Sequence, residues 1–237
     1  MLTRAFASDW LKLRHTWIVA LVIFGPAGVI GLQAVNWGLR YDYLTDRYAG
    51  MLWETLLKDV HFLSVPALLL GITLVASMLA GMEHQHGSWK QTLALPIRRR
   101  TVYMSKWLVC QTLMLLACIL LMTGMLLLGY LLGFGGNIPW DSLLARSFYP
   151  WLTAGPILAL QLWLSISTAN QTIPLSIGIV LSIMSLSAAG MPDWMPLKWP
   201  LLMKDSISTE LSIALGVSTG LLVLLFSIIH FTRKDVS

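Results

Sequence analysis

Five long stretches without Asp, Glu, Lys or Arg constrain this chain more than any other feature. They cover residues 16–39, 60–82, 107–140, 147–192 and 211–232. Each stretch reaches the roughly 20 residues that a helix needs to cross the hydrocarbon core of a bilayer. Charged residues make up only 11% of the chain, whereas they make up about a quarter of an ordinary soluble domain. The pattern predicts an all-α integral membrane protein.

The fourth stretch is too long for a single crossing, and a polar break divides it. Asn170 and Gln171, followed by Pro174, interrupt the apolar pattern near the middle. The sequence therefore predicts six transmembrane helices, at about residues 16–36, 60–82, 107–133, 148–168, 173–191 and 210–232. Because six crossings and their connections use most of the chain, we expect one transmembrane domain over residues 1–237 without a separate soluble domain.

The distribution of Lys and Arg predicts how the protein is oriented. If both termini are cytoplasmic, ten of the sixteen basic residues lie on the cytoplasmic side, as the positive-inside rule requires. We therefore expect a multi-pass protein of a bacterial plasma membrane with both termini in the cytoplasm. The net charge of +5 follows from this topology and does not indicate a nucleic-acid partner.

The segment ahead of the first span, residues 1–15, has an amphipathic pattern. Its apolar residues recur at helical spacing and include Phe6, Trp10 and Leu13. Charged residues such as Asp9 and Lys12 lie between them, which predicts a helix on the inner membrane surface with a charged polar face. The simpler alternative is a solvated start of the first span.

The predicted spans contain neutral polar residues instead of ionisable groups at mid-depth, which disfavours proton-driven transport. Candidates for lining a path for an amphipathic substrate are Ser77, Gln111, Gln161, Ser165 and Ser218. The alternative, which small polar residues favour in membrane helices, is packing between helices. Gly216-x-x-x-Gly220 also matches the small-xxx-small pattern of helix association, and the glycines around Pro26 suit close packing as well.

The connection between the second and third spans, residues 83–106, is the densest polar stretch in the chain. Gly87 and Ser88 predict a break, and a short helical stretch from Trp89 ends at Pro96. A short helix with exposed apolar residues is suited to docking in a partner's groove. The alternative is an ordinary basic inner loop.

This connection resembles the coupling segment of permease subunits in ABC-type-2 transporters, and it is most similar to the bacterial lantibiotic and bacitracin immunity branch. The residues that carry the resemblance are Glu83, Gly87, Ser88, Trp89, Lys90, Gln91, Leu93, Leu95, Pro96 and Arg99. The resemblance also covers the chain length, the N-terminal interfacial helix and the six predicted spans.

The resemblance implies a permease of an ATP-driven exporter. A cytoplasmic coupling helix over residues 88–95 would contact a separate ABC ATPase dimer, which would bind ATP and Mg²⁺. Consistently, the chain has no phosphate-binding G-x-x-x-x-G-K-[ST] loop, so we expect no cofactor, metal or catalytic residue in this chain. The family pattern further implies a second permease copy or a related chain, and a cargo such as an antimicrobial peptide or another hydrophobic compound.

Two other classes of function compete with this interpretation. An intramembrane enzyme would need paired catalytic groups within hydrogen-bond reach, and the spans contain no such pair. A non-transporting membrane sensor or assembly protein could use the same inner helix to hold a cytoplasmic partner, because docking of a helix does not by itself imply transport.

Overall fold

The computed structural model describes residues 2–14, 16–85, 98–203 and 208–233, and within them all regular secondary structure is helical. The helices are α1 Leu2–Leu13, α2 Ile18–Leu39, α3 Tyr41–Arg47, α4 Leu52–Gln85, α5 Arg99–Leu131, α6 Trp140–Thr153, α7 Gly155–Ser167, α8 Thr172–Met184 and α9 Thr209–Arg233. Two short 3-10 helices cover Ser185–Gly190 and Trp199–Leu201. The prediction of an all-α protein is confirmed.

Five of these helical stretches are long and apolar enough to cross a membrane. They are α2, α4, α5, α9 and α8 together with the 3-10 turn that extends it to Gly190. The chain is therefore a multi-pass membrane protein. The fourth predicted span, 148–168, instead falls on α6 and α7, which meet at Ala154. With 13 residues, α7 is only about 20 Å long, so a sixth crossing stays a prediction.

The break between α6 and α7 has a local cause. Pro156 lies in the first turn of α7 and has no backbone N–H to continue the hydrogen bonding of α6. Pro at the start of a helix is well tolerated, because the first N–H groups have no intrahelical partner. A new helix therefore begins at Gly155, with Pro156 in its first turn.

Two helices begin well before the spans predicted for them, α4 at Leu52 and α5 at Arg99. In the early turns of α4, Trp53, Leu56 and Leu57 are buried, while Glu54 and Lys58 are exposed. These turns are amphipathic, so they pack on the bundle although their charges exclude them from an apolar-run prediction. A run of apolar residues thus predicts which part of a helix crosses the membrane, but it does not predict the residue at which the helix begins.

Helix α4 lies at the centre of the bundle. It packs against α2, α5, α6, α7 and α8, while α9 packs along α7 and α1 packs on α5. One apolar cluster is built mainly by α4, α5 and α7 and includes Leu79, Leu113 and Leu162. A second cluster, with Trp37 and Leu57, lies at the end of the bundle where α3 is found. Both clusters thus rest on α4.

The contact of α9 with the last residue of α6 and the start of α7 requires glycine. A Cβ atom at Gly216 would lie 2.5 Å from the Cα atom of Thr153, and one at Gly220 would lie 2.9 Å from the carbonyl carbon of Gly155. No side chain fits at such separations, so the two backbones touch. The expected role of Gly216-x-x-x-Gly220 in helix association is confirmed within this chain.

We expect Gly216→Ala to lower the free energy of unfolding by about 1–3 kcal/mol, because the added methyl group forces α9 away from Thr153. Thermal unfolding of the purified protein in detergent measures this effect. Gly31→Ala is the matched control, since a Cβ atom there would meet no atom within 4 Å. Equal melting temperatures of the two variants would contradict the close contact.

Candidate functional site

Four charged side chains meet where α1 packs against the end of α4 and the start of α5. This cluster, called here the charged junction, consists of Asp9, Lys12, Glu83 and Lys106. Oε1 of Glu83 accepts hydrogen bonds from Nζ of Lys106 at 2.9 Å and from Nζ of Lys12 at 2.7 Å. Oδ1 of Asp9 lies 3.5 Å from Nζ of Lys106. Two lysines and two carboxylates thus neutralise each other.

The charged junction is buried at its centre and open at one edge. The side chains of Lys106 and Glu83 are 2% and 4% exposed, whereas that of Lys12 is 40% exposed. Removing an ion from water costs several kcal/mol, which close pairing must offset. Ser105 adds to this pairing by donating a hydrogen bond of 2.5 Å to Oδ2 of Asp9. Oε2 of Glu83 is buried and accepts no hydrogen bond from the residues that the structure describes.

Helix α1 has the apolar face that its spacing predicts. Leu13 is buried, Phe6 packs against the main apolar cluster, and the ring of Phe6 stacks on Trp10 with centroids 5.8 Å apart. Trp10 itself is largely exposed. The sequence places Asp9 among the charged residues of the polar face, and in the structure this side chain is buried against α5. The buried position is tolerated because Lys106 and Ser105 replace the lost water.

The described residues include two of the predicted coupling residues. Glu83 lies at the centre of the charged junction, and Arg99 is half-buried in the first turn of α5. The other predicted coupling residues, Gly87, Ser88, Trp89, Lys90, Gln91, Leu93, Leu95 and Pro96, lie outside the described residues. Sequence reasoning thus found Glu83 but not its partner Lys12 on α1.

The predicted path-lining residues are mostly engaged in contacts between helices. Oγ of Ser77 on α4 lies 3.3 Å from Oγ of Ser165 on α7. Gln161 donates to the carbonyl of Pro174 at 2.7 Å, and Trp151 donates to Gln111 at 2.8 Å.

Ser218 is exposed and donates to the carbonyl of Leu215 in its own helix. The contacts of the other four residues join different helices, as the packing alternative for the neutral polar residues requires. A path lined by them together with another chain stays a prediction.

We expect Glu83→Gln to destabilise the protein by about 3–5 kcal/mol, because it leaves the buried Lys106 without its closest counter-charge. Lys12→Gln should cost less than about 1 kcal/mol, since that ammonium group is partly solvated. Chemical denaturation in detergent, followed by circular dichroism, gives both values. A loss for Lys12→Gln as large as that for Glu83→Gln would contradict the burial order of the charged junction.

The model of one protein family matches most of the chain. Residues 5–185 match the family described as ABC-2 family transporter protein. The match begins in α1 and ends after α8, so it includes the charged junction and the connection between α4 and α5. No curated protein and no solved structure matches the chain. Because the match covers most of the chain, this protein belongs to the ABC-2 family of transporter proteins.

Proposed function

We propose that this chain is the membrane-spanning permease subunit of an ATP-driven ABC exporter. Membership of the ABC-2 family supports a permease component that works with an ATPase partner. The observation that carries the proposal is the charged junction, which ties together the two helix ends on either side of residues 86–97. The residues proposed to contact the ATPase therefore lie in the chain between two helix ends that the charged junction holds together.

The charged junction suggests how movement of an ATPase reaches the membrane. A force on the connection between α4 and α5 acts first on Gln85 and Arg98, the residues that flank it. Because Glu83 on α4 is paired with Lys106 on α5, the two helix ends move together. Lys12 and Asp9 couple α1 to the same movement. Separate sliding of the helices would expose unpaired charges.

The lengths of α4 and α5 would carry this movement across the bundle. They contain 34 and 33 residues, so each is about 50 Å long and exceeds the roughly 30 Å of the hydrocarbon core. A tilt imposed at the charged junction would therefore displace the opposite ends of both helices. In this proposal, such a tilt opens the bundle alternately to the two sides.

The remaining parts of the exporter belong to other chains in this proposal. An ABC ATPase dimer binds ATP and Mg²⁺, and a second permease copy or a related chain completes the path. Ser77, Gln111, Gln161, Ser165 and Ser218 are the candidates for its lining. Their neutral hydroxyl and amide groups suit an amphipathic cargo better than an ion.

The proposed cargo is an antimicrobial peptide of the lantibiotic type or another hydrophobic compound, removed for self-immunity or resistance. The resemblance of the connection at Glu83–Arg99 supports this choice of branch. The same resemblance supports a bacterial plasma membrane, six crossings and cytoplasmic termini.

Substitution of Trp89 tests the coupling. We expect Trp89→Ala to reduce co-purification of a P-loop ATPase from native membranes by about tenfold or more, since loss of an aromatic anchor costs 1.4 kcal/mol or more. Mass spectrometry and ATPase activity of the eluate measure it. Trp194→Ala is the matched control, because Trp194 is 73% exposed in the connection that follows the 3-10 helix Ser185–Gly190.

Resistance of cells to antimicrobial peptides separates transport from mere docking. Cells that carry Trp89→Ala should lose resistance, while insertion and melting temperature stay unchanged. Full resistance in this variant would overturn the coupling role. ATPase binding without any effect of this chain on cargo would instead support a membrane sensor or assembly protein.

A further inference from the structure

An apolar groove of about 370 Å³ lies between α2, α4, α5 and α6. Gly25 and Gly28 of α2 form part of one wall, and α4 lines the groove from Ser64 to Val75. Ser64 and Val75 are eleven helical steps apart, which corresponds to about 16 Å along the helix. The groove is therefore elongated along the bundle, and its volume lies at the lower end of the range for small-molecule sites, about 300–1,000 Å³.

The walls of the groove offer almost no polar groups to a ligand. The hydroxyl of Ser64 donates to the carbonyl of His61 at 2.9 Å, and that of Ser147 donates to the carbonyl of Leu143 at 2.7 Å. Both hydroxyl donors are thus used within their own helices. The rest of the lining, apart from Arg146, is apolar or glycine. An occupant of this length would have to be a hydrocarbon chain or a similar apolar group.

Arg146 is the one charged residue among those that line the groove. It lies half-buried on α6, and the described residues include no carboxylate within ion-pair distance of it. Burial lowers the pKa of the Arg146 guanidinium below its usual value, and the charge of Glu54 offsets only part of this effect. Arginine nevertheless stays protonated in proteins. A partly desolvated cation without a close counter-ion favours an anionic ligand group beside it.

The glycines of α2 keep the groove open. A Cβ atom at Gly25 or Gly28 would meet no atom within 4 Å, in contrast to the tight glycine contacts of α9. These glycines were expected to serve close helix packing, but Gly25 and Gly28 form no such close contact with the part of the chain that the structure describes. A larger apolar side chain at either position would occupy the groove instead of clashing with a neighbouring helix.

We propose that this groove binds one acyl chain of an anionic phospholipid of the surrounding bilayer, with the lipid phosphate paired to Arg146. Its length of about 16 Å matches the roughly 15 Å hydrocarbon depth of one leaflet, which is half of a 30 Å core. Arg146 and the apolar walls of the groove fit the two parts of such a lipid, its phosphate and its acyl chain.

A second copy of this chain fits the groove less well. In a symmetric dimer the same surface meets itself, so α2 would have to pair with the groove of its partner. Helix α2 contains no Asp or Glu and could not supply a counter-charge for Arg146. Charge complementarity therefore favours the lipid. The site involves no ATPase, so it holds or fails independently of the proposed exporter function.

Native mass spectrometry of the full chain, released from mild detergent with added lipid, tests the site. We expect the wild type to retain one phosphatidylglycerol per chain and to bind phosphatidylcholine about tenfold more weakly. Both lipids carry the phosphate, but phosphatidylcholine also brings its choline cation close to Arg146, which opposes binding. A tenfold difference corresponds to about 1.4 kcal/mol. Gly28→Leu should lose the bound lipid by filling the groove. Arg146→Gln should bind the two lipids equally.

Two matched variants control for indirect effects. Gly31→Leu adds the same side chain to α2 at a position that also meets no atom within 4 Å but does not line the groove. Arg40→Gln removes an exposed arginine at the C-terminal end of α2. Both should retain phosphatidylglycerol like the wild type.

Three results would overturn the proposal. Unchanged phosphatidylglycerol binding in Gly28→Leu would place the lipid elsewhere on the protein surface. Equal binding of both lipids to the wild type would indicate ordinary boundary lipid. A change of oligomeric state in Gly28→Leu, with lipid binding intact, would assign the groove to a second copy of the chain.

Discussion

The ion pair between Glu83 and Lys106 holds the end of α4 to the start of α5, and the rest of the charged junction depends on it. The proposed topology places this part of the protein on the cytoplasmic side. Both side chains are almost completely buried, and a buried charge without its partner is far less favourable than the pair. The ends of α4 and α5 therefore have little freedom to separate. Asp9 and Lys12 bring α1 into the same cluster, so a helix that could have lain free on the membrane is held to the bundle.

Tight and open helix faces lie in different parts of the molecule. The backbones of α7 and α9 touch at Gly216 and Gly220, where even one methyl group would clash. Helix α2, by contrast, has glycines at which an added Cβ atom would meet no described atom within 4 Å, and it lies beside an apolar groove. The first arrangement gives a rigid unit, whereas the second leaves room for a ligand. A transporter needs both, because a movement can be transmitted only by rigid parts and a ligand can bind only where space remains.

The sequence predicted the helical fold well because hydrophobic runs report the bilayer directly. It was less accurate at helix ends, where α4 extends to Leu52 through turns whose charges face outward. It also missed the separation of α6 from α7, since the missing N–H of Pro156 matters only for the hydrogen bonding of one turn. At the candidate site, the resemblance identified Glu83. Its partner Lys12 lies 71 residues away in the sequence, and no local pattern connects the two.

The sequence by itself determined that the chain is an all-α membrane protein, that an amphipathic helix precedes its first span, and that its inner connection resembles that of ABC-2 permeases. The first two follow from local composition and spacing, because the cost of placing charge in lipid acts on every segment separately. The third is a resemblance carried by the motif residues of that connection. Only the tertiary structure decided that Asp9 is buried and that Arg146 borders an apolar groove. It also decided that Gly216 lies against the backbone of Thr153, whereas Gly28 faces the open groove. Such facts depend on which distant segments become neighbours, and that is set by packing of the whole bundle.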